Sequence, residues 1–181
     1  MDARIVRTTR VLEQAVVELA AEKPISQVTV SELCSRAGVT RRTFYNRFDS
    51  PGQILAQALR RDLTSLAEDD SRRRAAATEP PTVLLRLANA DIIDHVLRYQ
   101  DIYRHADTLV FDVLVDHFVG YGVAFIRRVP NLRLTDEGIE LAARFVANGF
   151  AGAIGAWLRN PAITRDVLED AVVTVAPAWW A

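Results

Sequence analysis

Apolar residues recur along this chain at helical rather than strand spacing. Leu12, Ala15, Val16 and Leu19 follow the i, i+3, i+4, i+7 pattern and predict a first helix over about 3–22. Lys23-Pro24 ends it, because proline disfavours helical geometry at the residue before it. Thr29, with Glu32 three residues on, reads as a capping box in which the hydroxyl accepts from an early amide and the glutamate reaches back to the cap. The helix it opens, about 30–37, stops at Gly38, a residue suited to left-handed backbone. Thr40 caps a second short helix, about 41–47. Ser50-Pro51-Gly52-Gln53 starts a third, with proline at the first helical position, which carries Ile54, Leu55, Ala58, Leu59, Leu63 and Leu66.

Residues 68–81 are charged, alanine-rich and closed by Pro80-Pro81, which predicts a frayed helix end and a linker. Further helices are expected at about 82–99, 101–107, 109–128, 136–159 and 165–176. Thr135 and Thr164 read as caps before acidic first turns, and Pro130, Pro161 and Pro177 punctuate the ends. No Asn-Gly or Asp-Gly hairpin turn and no internal repeat occurs. The expected fold is all-α, with about nine helices.

Composition narrows the class. With 50% apolar and 25% charged residues in 181, intrinsic disorder is excluded. The one cysteine, Cys34, rules out an intrachain disulfide framework and suits a reducing compartment. It falls on an apolar helix face, so it reads as structural rather than catalytic. Asp2, Arg4 and Arg7 precede no sustained apolar run, so no secretory signal is expected at the start. The longest apolar stretch, 145–158, has fourteen residues interrupted only by Asn148. That is short of the ~20 that span a bilayer. The apolar 108–126 segment is broken by Asp112, Asp116 and His117. The expectation is a cytoplasmic protein with no membrane partner and buried apolar helices.

The net charge of −1 predicts no polyanion partner, but its distribution does. Residues 1–61 hold ten Arg/Lys and six Asp/Glu, a net of +4, whereas residues 62–181 hold twelve and seventeen, a net of −5. A basic module joined to an acidic body is implied. The basic module contains residues 29–48, two short helices around Gly38-Val39-Thr40, the plan of a helix-turn-helix. Val30, Leu33, Cys34, Ala37, Val39, Phe44 and Phe48 supply the apolar faces. The other face of the second helix offers Arg41, Arg42, Thr43, Tyr45, Asn46 and Arg47. Arginine forks bind guanine edges bidentately, while Asn, Thr and Tyr reach bases or phosphates. A helical hairpin packed in a core would explain the caps, the glycine and the apolar spacing. It would not explain three arginines on one short helix.

These residues make the chain resemble the TetR (tetracycline repressor) family of bacterial transcriptional regulators. The resemblance runs from about Thr9 to Leu55 and rests on Val11-Leu12, Ala15, Leu19, Thr29-Val30, Leu33, Ala37-Gly38-Val39, Thr43-Phe44-Tyr45, Phe48 and Ile54-Leu55. It implies a three-helix DNA-binding domain at 1–50 and a helical effector-binding and dimerisation domain at 51–181. By position, Thr40, Arg41, Arg42 and Thr43 would open the recognition helix, with Arg41 and Arg42 on bases and Thr43 on a base or phosphate. Tyr45 would touch phosphate, Asn46 and Arg47 would add phosphate or flanking contacts, and Thr29 would cap its helix near the DNA backbone. Pro51 departs from the family, which often places a phosphate-binding lysine there. Arg42 stands where Gly or Ala is common, so the operator is expected to be idiosyncratic.

The implied partners are double-stranded DNA, a second copy of the chain and a small apolar or aromatic effector. Gly149, Gly152, Ala153, Ala156 and Trp157, on a helix rich in small residues, are the candidate dimer face. Three glycines in a helix cost roughly 1 kcal/mol each relative to alanine, which close helix packing would offset. His95, Tyr99, Tyr103, Phe111, His117, Phe118 and Tyr121 are the candidate effector pocket, set against an ordinary aromatic core. Asp91/His95 and Asp101/His105 have ligand-like i, i+4 spacing but read as surface pairs, so no metal is expected. Trp157, Trp179 and Trp180 read as packing residues. No phosphate loop, zinc spacing or nucleophile motif is present, so neither a catalytic residue nor a cofactor is assigned. Two alternatives remain open: an interaction module or co-activator that kept the fold without specific DNA binding, and a helical enzyme.

Overall fold

A computed structural model describes residues 3–105, 108–129 and 132–176 of the chain. Nine α-helices occur among them: α1 Ala3–Glu22, α2 Val30–Ala37, α3 Arg41–Tyr45, α4 Pro51–Ala76, α5 Pro81–Arg98, α6 Gln100–Arg104, α7 Thr108–Ile126, α8 Asp136–Arg159 and α9 Arg165–Val175. No strand occurs among the described residues, and a single 3-10 turn, Ile25–Gln27, joins α1 to α2. The fold is all-α as the periodicity requires. Pro130, Pro177, Trp179 and Trp180 lie outside the described residues.

The helix starts are made locally. The hydroxyls of Thr29, Thr40, Ser50, Thr135 and Thr164 accept from the amides of Glu32, Thr43, Gln53, Gly138 and Val167 at 3.1–3.4 Å. Each satisfies a first-turn N–H that has no carbonyl in its own helix. At α4 Gln53 Oε1 reaches back past the cap residue Ser50 and accepts from Asp49 N at 2.7 Å. At α2 the box is only half made, which corrects the capping-box expectation for Glu32. Both carboxylate oxygens of Glu32 instead accept from Lys23 Nζ at 2.8 Å, an ion pair tying the end of α1 to the first turn of α2. Lys23 also holds the Glu32 carboxyl below its usual range.

Gly38 ends α2 with φ 65° and ψ 32°, and a Cβ there would meet nothing within 4 Å. The only obstacle to a side chain is therefore backbone strain. Gly38→Ala should lower stability by about 1–2 kcal/mol without a packing change, read as a lower urea midpoint at unchanged slope.

The expected linker at 68–81 is corrected. α4 continues through Ala76, leaving 77–80 as the connection, and Pro81 takes the first position of α5. The charges there hold the helix rather than fraying it. Asp69 pairs with Arg72 and Asp70 with Arg74 along α4, and Arg73 Nη2 reaches Asp91 on α5 at 2.8 Å.

Buried side chains form one contiguous cluster from Leu12 to Val172. α1 packs on α2, α4 and α6; α4 runs on to meet α5 and α7; α7 lies along α8; α9 rests on α5 and α8. By length and composition α7 and α8 are each enough to cross a membrane, which the 14-residue apolar run did not suggest. They pack on one another, with the Phe118 and Phe150 rings 5.6 Å apart between them. Their outer faces carry exposed Asp112, Asp116, Glu137 and Arg144.

Candidate nucleic-acid interface

Phe44 anchors α3. Its side chain has no exposure, and its ring meets Tyr45 edge-on at 5.2 Å and Phe48 at 6.2 Å. With Phe44 inward, Arg41, Arg42 and Tyr45 turn outward, Tyr45 with 61% of its surface exposed. The helix ends two residues earlier than its sequence suggests. Asn46 is the cap, and its N–H donates to the Arg42 carbonyl at 3.1 Å, so Asn46 and Arg47 sit on the turn that follows, both exposed. The Thr40 and Thr43 hydroxyls lie 2.9 Å apart, so part of their hydrogen-bonding capacity is spent on each other. Thr29 is exposed at the start of α2, its oxygen turned to the Glu32 amide.

Cations in this region fall into two sets. Lys23 pairs with Glu32, Arg36 with Glu22 and Glu18, Arg60 with Asp116, and Arg61 with Glu13. The Arg61–Glu13 pair, 2.6 Å long, joins α4 to α1, and Glu13 is only 6% exposed. Arg41, Arg42 and Arg47 have no carboxylate partner among the described residues, and neither do Arg7 and Arg10 on α1. This segment thus keeps its positive charge and its donors uncommitted, the condition that contacts to phosphates and base edges would require. Cys34 lies beneath it. Burial pushes the thiol up, partly opposed by Arg41, so it stays protonated and acts as a small apolar side chain. Pro51 is buried at the start of α4 and offers neither charge nor N–H.

Residues 12–58 match the family model described as bacterial regulatory proteins, tetR family. That segment, α1 from Leu12 through the first residues of α4, is similar in sequence to the TetR family. The match ends inside α4, and beyond it the likeness is one of fold. A crystal structure of a protein described as a TetR-family transcriptional regulator from Syntrophomonas wolfei is 12% identical, covers 92% of this chain and 91% of its own, and superposes with a TM-score of 0.69. A tetR-family transcriptional regulator from Streptomyces coelicolor is 18% identical over 96% of this chain and 79% of its own, with a TM-score of 0.65. No curated protein matches the chain. The TetR-like fold therefore extends through the body, where sequence similarity does not.

In that body the seven candidate pocket residues separate. His117, Phe118 and Tyr121 of α7 line a cavity of about 30 Å³ between α4, α5 and α7. His95 borders a second cleft with Asp62 and Arg98. Tyr99 is tied to Asp62 by a 2.5 Å hydrogen bond. Tyr103 is 2% exposed and meets His95 Nε2 at 3.1 Å. Phe111 packs edge-on to Tyr103 at 5.9 Å and stands where a Cβ on Gly155 would come within 3.4 Å, so this glycine is explained by packing inside the chain. Asp91 pairs with Arg73 and Asp101 with Arg104, and no cluster of metal-binding side chains occurs among the described residues. The polar members of the cavity, Asp70 and Asn89, were missed. Asp70 lies in the stretch read as a linker, and its partner Tyr121 is 51 residues away.

Burial pushes both His95 and His117 down to about 4. A base whose folded value is depressed favours the native state only while neutral, so stability present above the unfolded value of about 6.5 is lost as pH falls toward 4. Urea midpoints should drop between pH 7 and pH 4.5, and His95→Gln should flatten that slope. Unchanged midpoints across this window would show that the rings are not desolvated.

The candidate dimer residues share one side of α8. Gly149, Gly152 and Ala156 are exposed, Ala153 is half-buried, and Trp157 packs partly into the core. A Cβ on Gly149 or Gly152 would meet nothing within 4 Å, unlike one on Gly155. Leu141 and Phe145 extend the same side, 68% and 83% exposed, and α9 adds Val175 at 75%. Leu141 and Phe145 were missed, although their i, i+4, i+8 spacing with Gly149 is legible. Together they border an open groove of about 910 Å³ between α8 and α9.

Proposed function

We propose that this protein is a cytoplasmic transcriptional repressor that binds a palindromic operator as a homodimer and is released by a small-molecule effector. Residues 1–50 read DNA, and residues 51–181 dimerise and bind the effector. The observation that carries the reading is the uncommitted set Arg41, Arg42 and Arg47 on and just after α3, in a region whose other cations are mostly neutralised by carboxylates. Arg41 and Arg42 are assigned to base edges, Thr43 to a base or phosphate, and Tyr45, Asn46 and Arg47 to phosphates or flanking positions. Thr29 and Thr40 position the two helices on the backbone.

Dimerisation is supported by the apolar sides of α8 and α9. Exposed Leu141, Phe145 and Val175 flank Gly149 and Gly152, whose lack of a side chain serves nothing within the chain. Two copies joined there would present two α3 helices to half-sites related by two-fold symmetry. The acidic body, net −5 over residues 62–181, would face away from the phosphates and keep non-specific affinity low.

An electrophoretic shift over the DNA upstream of the protein's own gene tests this reading. At low salt and micromolar dimer, a discrete shifted species is expected that survives excess unrelated duplex. A chain that shifts nothing there is not an operator-binding regulator.

A further inference from the structure

The cavity between α4, α5 and α7, about 30 Å³, has room for one small polar group. Its wall divides by chemistry. Leu66, Ile92 and Phe118 are apolar, whereas Asp70 and Asn89 bring polar atoms. Asp70 is 3% exposed. Its Oδ2 accepts from Arg74 Nε at 2.7 Å and from the Tyr121 hydroxyl. Its Oδ1 is buried without a hydrogen-bond partner, with Arg73 Nη1 3.7 Å away. Asn89 Nδ2, a donor, is likewise buried and unpartnered. The unused acceptor on Asp70 and the unused donor on Asn89 are each expensive to leave unsatisfied, and beside Asp70 two further buried donors, Arg73 Nη1 and Arg74 Nη2, also lack a hydrogen bond.

Charge decides the ligand class. Asp70 is paired with Arg74, and Asp91 with Arg73. The ionised groups around the cavity already compensate one another, so an added ammonium or carboxylate would be buried without a counter-charge. The smallest uncharged group that both donates and accepts is a hydroxyl. We propose that this cavity takes the hydroxyl of an uncharged alcohol or phenol, whose O–H donates to Asp70 Oδ1 while its oxygen accepts from Asn89 Nδ2. This rests on the effector reading above and narrows it. The apolar remainder of the ligand has a path. A second void of about 10 Å³, toward Ile154 and Val172, shares Asn89, Ile92 and Phe118 with the first. The competing occupant is a single water molecule bridging the same two atoms.

Four probes of similar size distinguish these occupants: phenol, toluene, benzoate and benzylammonium, titrated calorimetrically into the full-length protein. Phenol should bind about tenfold or more tightly than the other three, the worth of a hydrogen-bonded hydroxyl in a buried site. Asn89→Leu should erase that advantage and leave any weak toluene binding in place. Asn89→Ala serves as the second variant, with melting temperature reporting whether each is folded. The proposal is overturned if toluene equals phenol, if a charged probe binds best, if Asn89→Leu keeps the phenol advantage, or if no probe binds and water is the sole occupant. Operator shifts run on the same samples without probe report on the regulator reading separately. A protein that binds DNA but not phenol refutes only the ligand class.

Discussion

Arg41→Ala combined with Arg42→Ala is expected to weaken sequence-specific DNA binding sharply while leaving the fold intact. Both side chains are exposed and neither has an acidic partner among the described residues, so removing them breaks nothing within the chain. Alanine is also the better helix former, so the melting temperature should hold or rise slightly. Against an operator the loss is large. Each bidentate base contact discriminates by about 1–3 kcal/mol, so losing two should weaken specific binding by about thirtyfold or more. Because the substitutions also remove positive charge from each subunit, the salt dependence of binding should become shallower. Competition shifts at several salt concentrations read both effects. A double variant that binds its operator within threefold of the parent would show that α3 does not read the bases.

Phe145→Asp should convert the protein from a species of twice the 20.2 kDa chain mass to a monomer. In the single chain this phenyl ring is 83% exposed on the side of α8 beside Gly149, and nothing inside the fold relies on it. Surface substitutions of that kind shift monomer stability by about 0.5 kcal/mol or less. Across a dimer the same position would bury an unpaired carboxylate, costing several kcal/mol per subunit. Light scattering at micromolar concentration checks the mass. Operator affinity should fall with it, since a lone domain engages one half-site. If the parent scatters as a single chain, the α8–α9 groove is not a dimer face. If the variant stays dimeric, the contact lies elsewhere.

Much of the N-terminal domain was legible because its determinants are short-range. Thr29, Thr40 and Ser50 each hydrogen-bond an amide three residues on, and Gly38 adopts left-handed backbone at the turn. Such interactions can be read from a few letters. Glu32 answers to a longer-range partner. Its letter suits a capping box, but Lys23, nine residues earlier, outcompetes a neutral amide for the carboxylate. The body was harder. Residues 68–76 read as linker because alanines and alternating charges carry no apolar periodicity. They are helical because Asp70 and Arg73 find partners on α7 and α5, 51 and 18 residues away. The aromatic residues of 95–121 were visible as a group, but their spacing did not separate His117 and Tyr121 at the cavity from Tyr103 in the core.

Sequence by itself determined the helical class, most helix boundaries, the outward arginines of α3 and the division of charge between a basic head and an acidic body. All follow from backbone interactions within a turn or from sums over residues, so no neighbour in space is needed to state them. Tertiary structure alone decided which charges stay free, which glycines are used inside the chain and which polar atoms reach a cavity without a partner. Helical periodicity tells which residues share a side of a helix. What that side meets depends on how helices far apart in sequence come together, and there the burial of Asp70 and the exposure of Phe145 are settled.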